Sequence, residues 1–487
     1  MNVYLSPPGV ASCAGMNREE LFRSALAGDQ RGIRRERVGD RTFLAGRVAA
    51  DLPEPACGAD LDPAEYARNT RLIRLADFAL EQIRGPAEYF QNRYGPDRIG
   101  VCAGSCDNGS EGALRAHTAY FSAKAFPADY ALRFQSAGYL AGFAARKFGA
   151  RGPAITVSTA CASSAGAVAK AGELIRAGLC DAVIAGGADV ASQTVLLGFG
   201  ALEAVSQTIS NPFSKNRNGI TLGEAAAFFV LSKDFFPFSA KDFFSKKKKD
   251  FPPLENFSAE KYFSEKDFFL KEEKEFLSLN KENFEEKDFL SSEKKFQEKE
   301  KLFLEKLEKL EKKEKYFAGK DGRRERKIVL LGAGESADAY HITAPRPDGN
   351  GAVMAMKRSL ERAGVSAWDV DYLNLHGTGT PLNDGMEARA VAEVFPDYAE
   401  RPAASSTKPI TGHTLGAAGA LELALCWMVL AGGGGLPMHC WDGVRDEALP
   451  ALRFADAQTR LENPSVCMSN SFAFGGCNVS LVLGVSS

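Results

Sequence analysis

The strongest constraint in this 487-residue chain is a recurring unit: a short apolar run, then Gly, Ser or Asp, then an Ala-rich helical segment. RIGVCAG (98–104), AITVSTA (154–160), DAVIAGGAD (181–189) and AAAFFVLS (225–232) carry it through residues 1–233. Their apolar residues do not alternate cleanly with polar ones, so they read as strands buried on both faces. KIVLLGAG, VDYLNLHG, ASSTKP and the pair VCMSN and NVSLVLG repeat the style over 327–487. Strands separated by helices imply an α/β layered fold, and the tight SFAFGG connection suits an antiparallel final pair.

Between these halves, 234–326 has a different composition. About half of it is charged, it holds about half of the 33 Phe, and it lacks Val, Ile, Thr, His and Cys. Phe289, Phe296, Phe303, Leu310 and Phe317 fall seven apart, but the companion heptad position is mostly Ser, Lys or Glu. One narrow stripe makes a solvated amphipathic helix, not a strong dimer seam. The segment reads as a low-complexity, partly helical insertion between two elements, with a partner-binding arm as the alternative.

Sixty Lys+Arg against 62 Asp+Glu leave a net charge of -2, which argues against general nucleic-acid or polybasic membrane binding. The ten Cys show no CxxC spacing and read as reduced thiols of a cytoplasmic protein. The first residues lack the marks of a signal peptide. The longest apolar stretch, 416–438, is broken by Glu422 and a Gly run, so it predicts a buried helix and no membrane span.

Four motifs carry chemistry. Cys161 stands in Ser158-Thr-Ala-Cys-Ala-Ser-Ser164 at a predicted strand-to-helix junction, where the helix dipole favours a thiolate nucleophile. On position alone it could equally be a small buried hydrophobe. His376 opens HGTGTP after a strand-like run, and His413 lies in KPITGHTLGAAG, a Gly-bounded loop leading into a helix. Both fall at strand ends, where open α/β sheets place ligands. Metal-ligand spacings such as HExxH are missing, so no metal is expected. The fourth motif, SNSFAFGG (469–476), is either a hairpin turn or a backbone N–H aimed at a developing oxyanion.

In this order, TACASS, HGTGTP, KPITGHTLGAAG and NSFAFGG resemble the elongating β-ketoacyl-acyl carrier protein synthases, condensing enzymes of the thiolase superfamily. The resemblance implies a thiolase-like five-layered α-β-α-β-α fold of two pseudo-repeated halves, 1–233 and 327–487. It also implies a decarboxylative Claisen condensation, with Cys161 holding the acyl group and His376 and His413 hydrogen-bonding the malonyl thioester carbonyl. By the same match, the N–H groups of Cys161 and Phe474 form the oxyanion hole, and Phe474 also gates acyl loading. Lys408 and Glu387 match a supporting charged pair, Thr378 and Thr380 match pantetheine-binding positions, and Phe199 matches an acyl-pocket position.

An initiating synthase would carry Asn for the second His, a degradative thiolase a second Cys, and a chain-length-factor subunit no nucleophile. Ala473 departs from a usual Gly in the gating loop, and the insertion replaces a short connection. SCDNGSEGA (105–113) and the GGCN ending are similar to synthases of specialised pathways such as aryl polyene assembly.

The implied partner is acyl carrier protein, whose phosphopantetheine arm delivers the substrates, so no protein-bound cofactor is expected. A homodimer or a heterodimer with a chain-length-factor-like subunit is implied. Arg68, Arg71 and Arg74, at i, i+3 and i+6, form a candidate docking face for this acidic carrier. The competing reading is a non-enzymatic scaffold that works through the 234–326 arm.

Overall fold

Consecutive side chains of a strand point to opposite faces, and here both faces of most strands are apolar. In the computed structural model, residues 1–49, 51–53, 71–107, 109–128, 130–237, 326–432 and 435–486 are described. The N-terminal strands are β1 (Tyr4–Leu5), β2 (Gly9–Ser12), β3 (Ile33–Val38), β4 (Arg41–Gly46), β5 (Ile99–Gly104), β6 (Ala154–Val157), β7 (Ala182–Asp189), β8 (Leu222–Gly223) and β9 (Ala225–Ser232). After the insertion come β10 (Lys327–Ala337), β11 (Tyr372–Asn374), β12 (Ala403–Ser405), β13 (Val466–Phe472) and β14 (Cys477–Ser486). The helices are α1 (Arg18–Ala27), α2 (Arg71–Gln82), α3 (Arg84–Tyr94), α4 (Ser110–Ala123), α5 (Tyr139–Phe148), α6 (Ser163–Arg176) and α7 (Gln193–Ala201). The second half adds α8 (Asn350–Ala363), α9 (Pro381–Val394), the short α10 (Lys408–Thr411) and α11 (Ala418–Ala431).

The two halves repeat one topology. The first has the strand order β6-β5-β7-β9-β2 and the second β12-β11-β13-β14-β10. In each, three parallel strands are followed by two antiparallel ones. β1 pairs with both β9 and β10 and joins the halves into one sheet. A small second sheet holds β3, β4 and β8.

Side-chain alternation sorts the cores into layers. On β9, Ala226, Phe228 and Val230 meet α2 and α5 through Ile73, Leu80 and Phe143. The intervening Ala227, Phe229 and Leu231 join a central core with α6 and α11, which also takes Leu481 and Leu483 of β14. Val482 and Met468 face the other way, onto Met356 and Leu360 of α8 and Val391 of α9. The order is therefore outer helices, sheet, α6 with α11, sheet, outer helices: the five-layered thiolase-like α/β fold. With a sheet on either side, α11 is apolar nearly all round, as a fully enclosed helix must be.

One strand differs from expectation. Among the described residues β6 is paired only with β5, and Ala154 is exposed while Ile155 to Val157 are half-buried: it is a sheet edge. No helix among the described residues is long and apolar enough to cross a membrane.

The insertion, apart from 234–237 and Arg326, lies outside the described residues, as do its seven-residue Phe spacing and Arg68. Its two ends are tied down. Tyr4 of β1 pairs with both Ser232 and Val329, so the chain leaves and returns on the two strands flanking β1. Asp234 accepts from Tyr94 Oη at 2.7 Å and Arg93 at 2.8 Å, and Arg326 donates to the carbonyls of Leu430 and Pro464.

Candidate active site

The central helices bring the site together. The backbone N–H of Ala420 donates to Ser164 Oγ at 2.9 Å, and a side chain at Gly419 would strike Ala165. The N-terminal ends of α6 and α11 thus meet, and each is entered through a 3-10 turn, Ala160–Ala162 and Leu415–Ala417. Cys161 sits in the first of these. The preceding Ala160 takes a left-handed φ of 48°, a strained conformation that tips the chain from β6 into α6. Ser163 Oγ braces it, accepting from the Thr159 N–H and donating to the Ala160 carbonyl.

The Cys161 sulfur and imidazole nitrogens of His376 and His413 lie within 4.8 Å of one another. The rings stand edge-on, with centroids 5.2 Å apart. His413 Nδ1 accepts the Leu415 N–H at 3.3 Å, which leaves its proton on Nε2. His376 Nδ1 is 3.4 Å from Lys408 Nζ, which can only donate, so this ring also carries its proton on Nε2. Burial holds both imidazoles well below their usual range, the Lys408 charge adds to this in both, and His413 adds to it in His376. Both are neutral Nε2–H donors.

Such a trio could in principle ligate a soft cation. The buried Lys408 ammonium beside both imidazoles opposes one.

Of the two readings of Cys161, burial prevails over the helix field in the resting protein. Burial pushes its thiol up to about 11, against the downward pull of Lys408 and of the Phe474 and Cys161 N–H groups. The resting group is a thiol, because desolvation outweighs the helix field. Both of those N–H groups are directed toward the sulfur. Phe474 reaches it from the β13–β14 turn, whose Gly475 and Gly476 take φ of 85° and 78°. Its ring stacks on Phe199 of α7, centroids 5.8 Å apart.

The direct carboxylate partner of Lys408 is Glu422 of α11, at 2.5 Å, while its charge also acts on Glu387. Its Nζ also donates to the His376 carbonyl, so its three hydrogens are all used. Glu387 of α9 instead grips the loop backbone, accepting the N–H groups of His376 at 2.8 Å and Gly377 at 2.7 Å. Burial pushes its carboxyl up to about 7, with those bonds opposing. Thr378 and Thr380 hydroxyls lie 2.9 Å apart, and Thr380 Oγ1 also caps α9 by accepting the Asn383 N–H.

Arg71 has a buried partner. Its guanidinium turns inward onto Glu224, which is fully buried, with Nε contacts of 2.9 and 3.0 Å. The pair ties α2 to the residue before β9, with the Arg71 side chain 26% exposed. Arg74, on α2, is half-buried.

Two further residues organise the site. In sequence Glu422 is a charge interrupting an apolar stretch; a lone carboxylate in an enclosed helix signals a buried partner. Asp189, at the end of β7, looks in sequence like strand-end punctuation. It accepts from Ser105 Oγ at 2.6 Å, the N–H groups of Cys106 and Asp107 at 3.0 Å, and Gly416 N–H at 2.6 Å. It thereby ties the SCDNGSEGA loop to the turn carrying His413.

The beta-ketoacyl synthase N-terminal domain model matches residues 56–234 and its C-terminal counterpart matches 328–438. The chain belongs to the β-ketoacyl synthase family. It is an acyltransferase whose chemistry is the decarboxylative condensation of acyl thioesters. The 3-oxoacyl-[acyl-carrier-protein] synthase 2 of Coxiella burnetii is 28% identical over 99% of this chain and 98% of its own. Among solved structures, the ketosynthase ApeO in complex with its chain length factor ApeC, from Xenorhabdus doucetiae, is 31% identical. Its TM-score is 0.74, covering 100% of this chain and 98% of that one. A type II polyketide ketosynthase in complex with its acyl-carrier protein is 19% identical with a TM-score of 0.71, a likeness of fold.

Proposed function

We propose that this ketosynthase elongates carrier-bound acyl chains in the cytoplasm, with Cys161 as nucleophile and His376 and His413 as the paired electrophilic donors. The observation that carries the reading is the convergence of one thiol and two imidazoles fixed as Nε2–H donors. In the first half-reaction Cys161 Sγ attacks the acyl thioester presented on a phosphopantetheine arm. The thiol proton leaves with the departing carrier thiol, and the N–H groups of Cys161 and Phe474 take the oxyanion.

In the second, malonyl-carrier protein places its thioester carbonyl against the two Nε2–H groups. The bond to the carboxylate breaks, CO2 leaves, and the electron pair becomes an enolate whose oxygen the imidazoles hold. Being neutral, they stabilise this charge without protonating the carbon that must attack. The enolate carbon then attacks the acyl-Cys161 carbonyl, and Sγ departs as a thiolate that takes a proton from water to restore the resting thiol. Thr378, Thr380 and Phe199 border the path of the pantetheine and acyl groups in this reading.

The partners are acyl carrier protein and a second ketosynthase-fold subunit. A chain-length-factor-like subunit is favoured over a second copy by the 31% identical relative, which is solved with its chain length factor. The test is intact-mass spectrometry of the protein with acyl-carrier protein, then with malonyl-carrier protein, alone and with a candidate partner. Acyl mass should appear on the wild type and be lost in Cys161→Ala. His376→Ala and His413→Ala should still acylate but fail to decarboxylate malonyl thioester. Acylation of Cys161→Ala would overturn the assignment.

A further inference from the structure

His439 is a buried imidazole that the condensation does not use, and its two ring nitrogens bridge two loops of the active site. Nδ1 accepts the backbone N–H of Ser406 at 3.1 Å, and Nε2 lies 3.2 Å from the Pro212 carbonyl. Only one neutral tautomer satisfies both, with Nδ1 bare and the proton on Nε2. Burial pushes its pKa down to about 3, so the ring keeps that form across the neutral range. It is clamped flat against Phe454, centroids 3.9 Å apart and planes 7° apart.

Each end of this strut leads to the catalytic loop. Ser406 Oγ donates to the Gly377 carbonyl at 2.7 Å, directly after His376, and accepts the Lys408 N–H at 3.4 Å. At the other end, Phe213 is held in a left-handed φ of 63°, with its N–H on Asp384 Oδ2 at 2.8 Å. Asp384 Oδ1 accepts the Gly379 N–H at 3.2 Å. There is no slack where these parts meet: a side chain at Gly377 would strike Ser406 and the Phe213 ring.

We propose that His439 is a positioning residue for decarboxylation, setting Ser406 so that His376 and Lys408 hold their donor geometry. This rests on the ketosynthase reading above. It acts on the loops of His376 and Lys408, whereas Cys161 stands on the turn before α6. Acyl transfer should therefore tolerate its loss better than decarboxylation.

The variants are chosen by which ring nitrogen they imitate. His439→Phe keeps the stack on Phe454 but provides neither polar partner. His439→Asn places an amide oxygen where Nδ1 accepts from Ser406, while His439→Gln places an amide nitrogen where Nε2 donates to Pro212. Both half-reactions are measured separately on wild type and variants, as Cys161 acylation by intact mass and as CO2 release from malonyl-carrier protein. His439→Phe should slow decarboxylation roughly tenfold to a hundredfold, the scale of a small misplacement of catalytic groups, with acylation changed less than about twofold. His439→Asn should recover most of the rate and His439→Gln little.

Equal loss in both half-reactions, or unchanged decarboxylation in His439→Phe, would overturn the inference alone. If His439→Phe does not fold, the Asn and Gln pair decides: Asn no faster than Gln in decarboxylation overturns it. A wild type that neither acylates nor decarboxylates would refute the function itself, and the inference with it.

Discussion

Lys408 is both a structural charge and a tautomer selector, and a double-variant cycle separates these roles. Its ammonium is buried with three acceptors: Glu422 Oε1 at 2.5 Å, the His376 carbonyl and His376 Nδ1. Lys408→Met fills similar space but strands the Glu422 carboxylate, and Glu422→Leu strands the ammonium. Breaking one side of a buried pair costs about 3–5 kcal/mol, whereas replacing both sides with apolar groups is often near neutral. The double variant should therefore be more stable than either single variant in urea unfolding followed by Trp fluorescence. Catalysis should not follow the same pattern. Without Lys408 the donor to Nδ1 is gone, the proton is free to move there, and a bare Nε2 then faces the malonyl carbonyl. Loss of one oxyanion donor costs about 10²–10³-fold, so malonyl decarboxylation should fall by that order in Lys408→Met and in the double variant alike. Additive stability losses would refute the ion-pair argument. A double variant that decarboxylates at the wild-type rate would refute the tautomer argument.

Three further outcomes are expected. Because burial pushes the Cys161 thiol up to about 11, its alkylation by iodoacetamide should keep accelerating as pH rises, about tenfold per unit. A plateau at the ordinary cysteine value of about 8.5 would refute that environment. Arg71→Glu should destabilise the fold by about 3–5 kcal/mol, since it sets a carboxylate against fully buried Glu224. That variant then reports on folding, and Arg68→Glu is the cleaner probe of carrier docking, read as a raised KM for carrier-bound substrate with a small thioester spared. Removing 234–326 with a short linker should leave a folded, acylating protein, because the segment departs and returns on strands flanking β1. Loss of soluble protein would show that the arm is structural.

The layered fold was legible because buried strands leave apolar runs at regular intervals, and the trio because each member sits in a glycine- or serine-marked turn. Partnership was harder to read. Lys408 opens the His413 motif and Glu387 follows the His376 motif by six residues, and the resemblance pairs them. Lys408 instead reaches Glu422, a turn into α11, because both project into the central layer while Glu387 lies under the His376 loop. Arg71 looked like one of three charges on a helix face. Its true partner, Glu224, is distant in sequence, and only the packing of α2 beside β9 brings them together. The state of the thiol was open in sequence for a related reason. A helix N-terminus is visible in sequence, but the desolvation that overrides it is a property of the assembled core.

The duplication explains how one chain obtains both a nucleophile and its donors. Ala160, with φ of 48°, and Leu415, with φ of 54°, open equivalent 3-10 turns into α6 and α11. Aligning those turns sets Cys161 opposite Gly416 and Ser158 opposite His413. The correspondence is geometric, but the two sites cannot exchange chemistry. A side chain at Gly416 would lie 2.4 Å from Asp189 Oδ2, and the Gly416 N–H is already committed to that carboxylate. The second turn is thereby barred from holding a nucleophile. It is left to present His413, whose Nδ1 is locked by the Leu415 N–H of the same turn. Because the ends of α6 and α11 touch, the thiol of one half and the imidazole of the other fall within one reaction volume. Either half alone would carry a strained turn at a helix end, and the reaction needs the two to face each other.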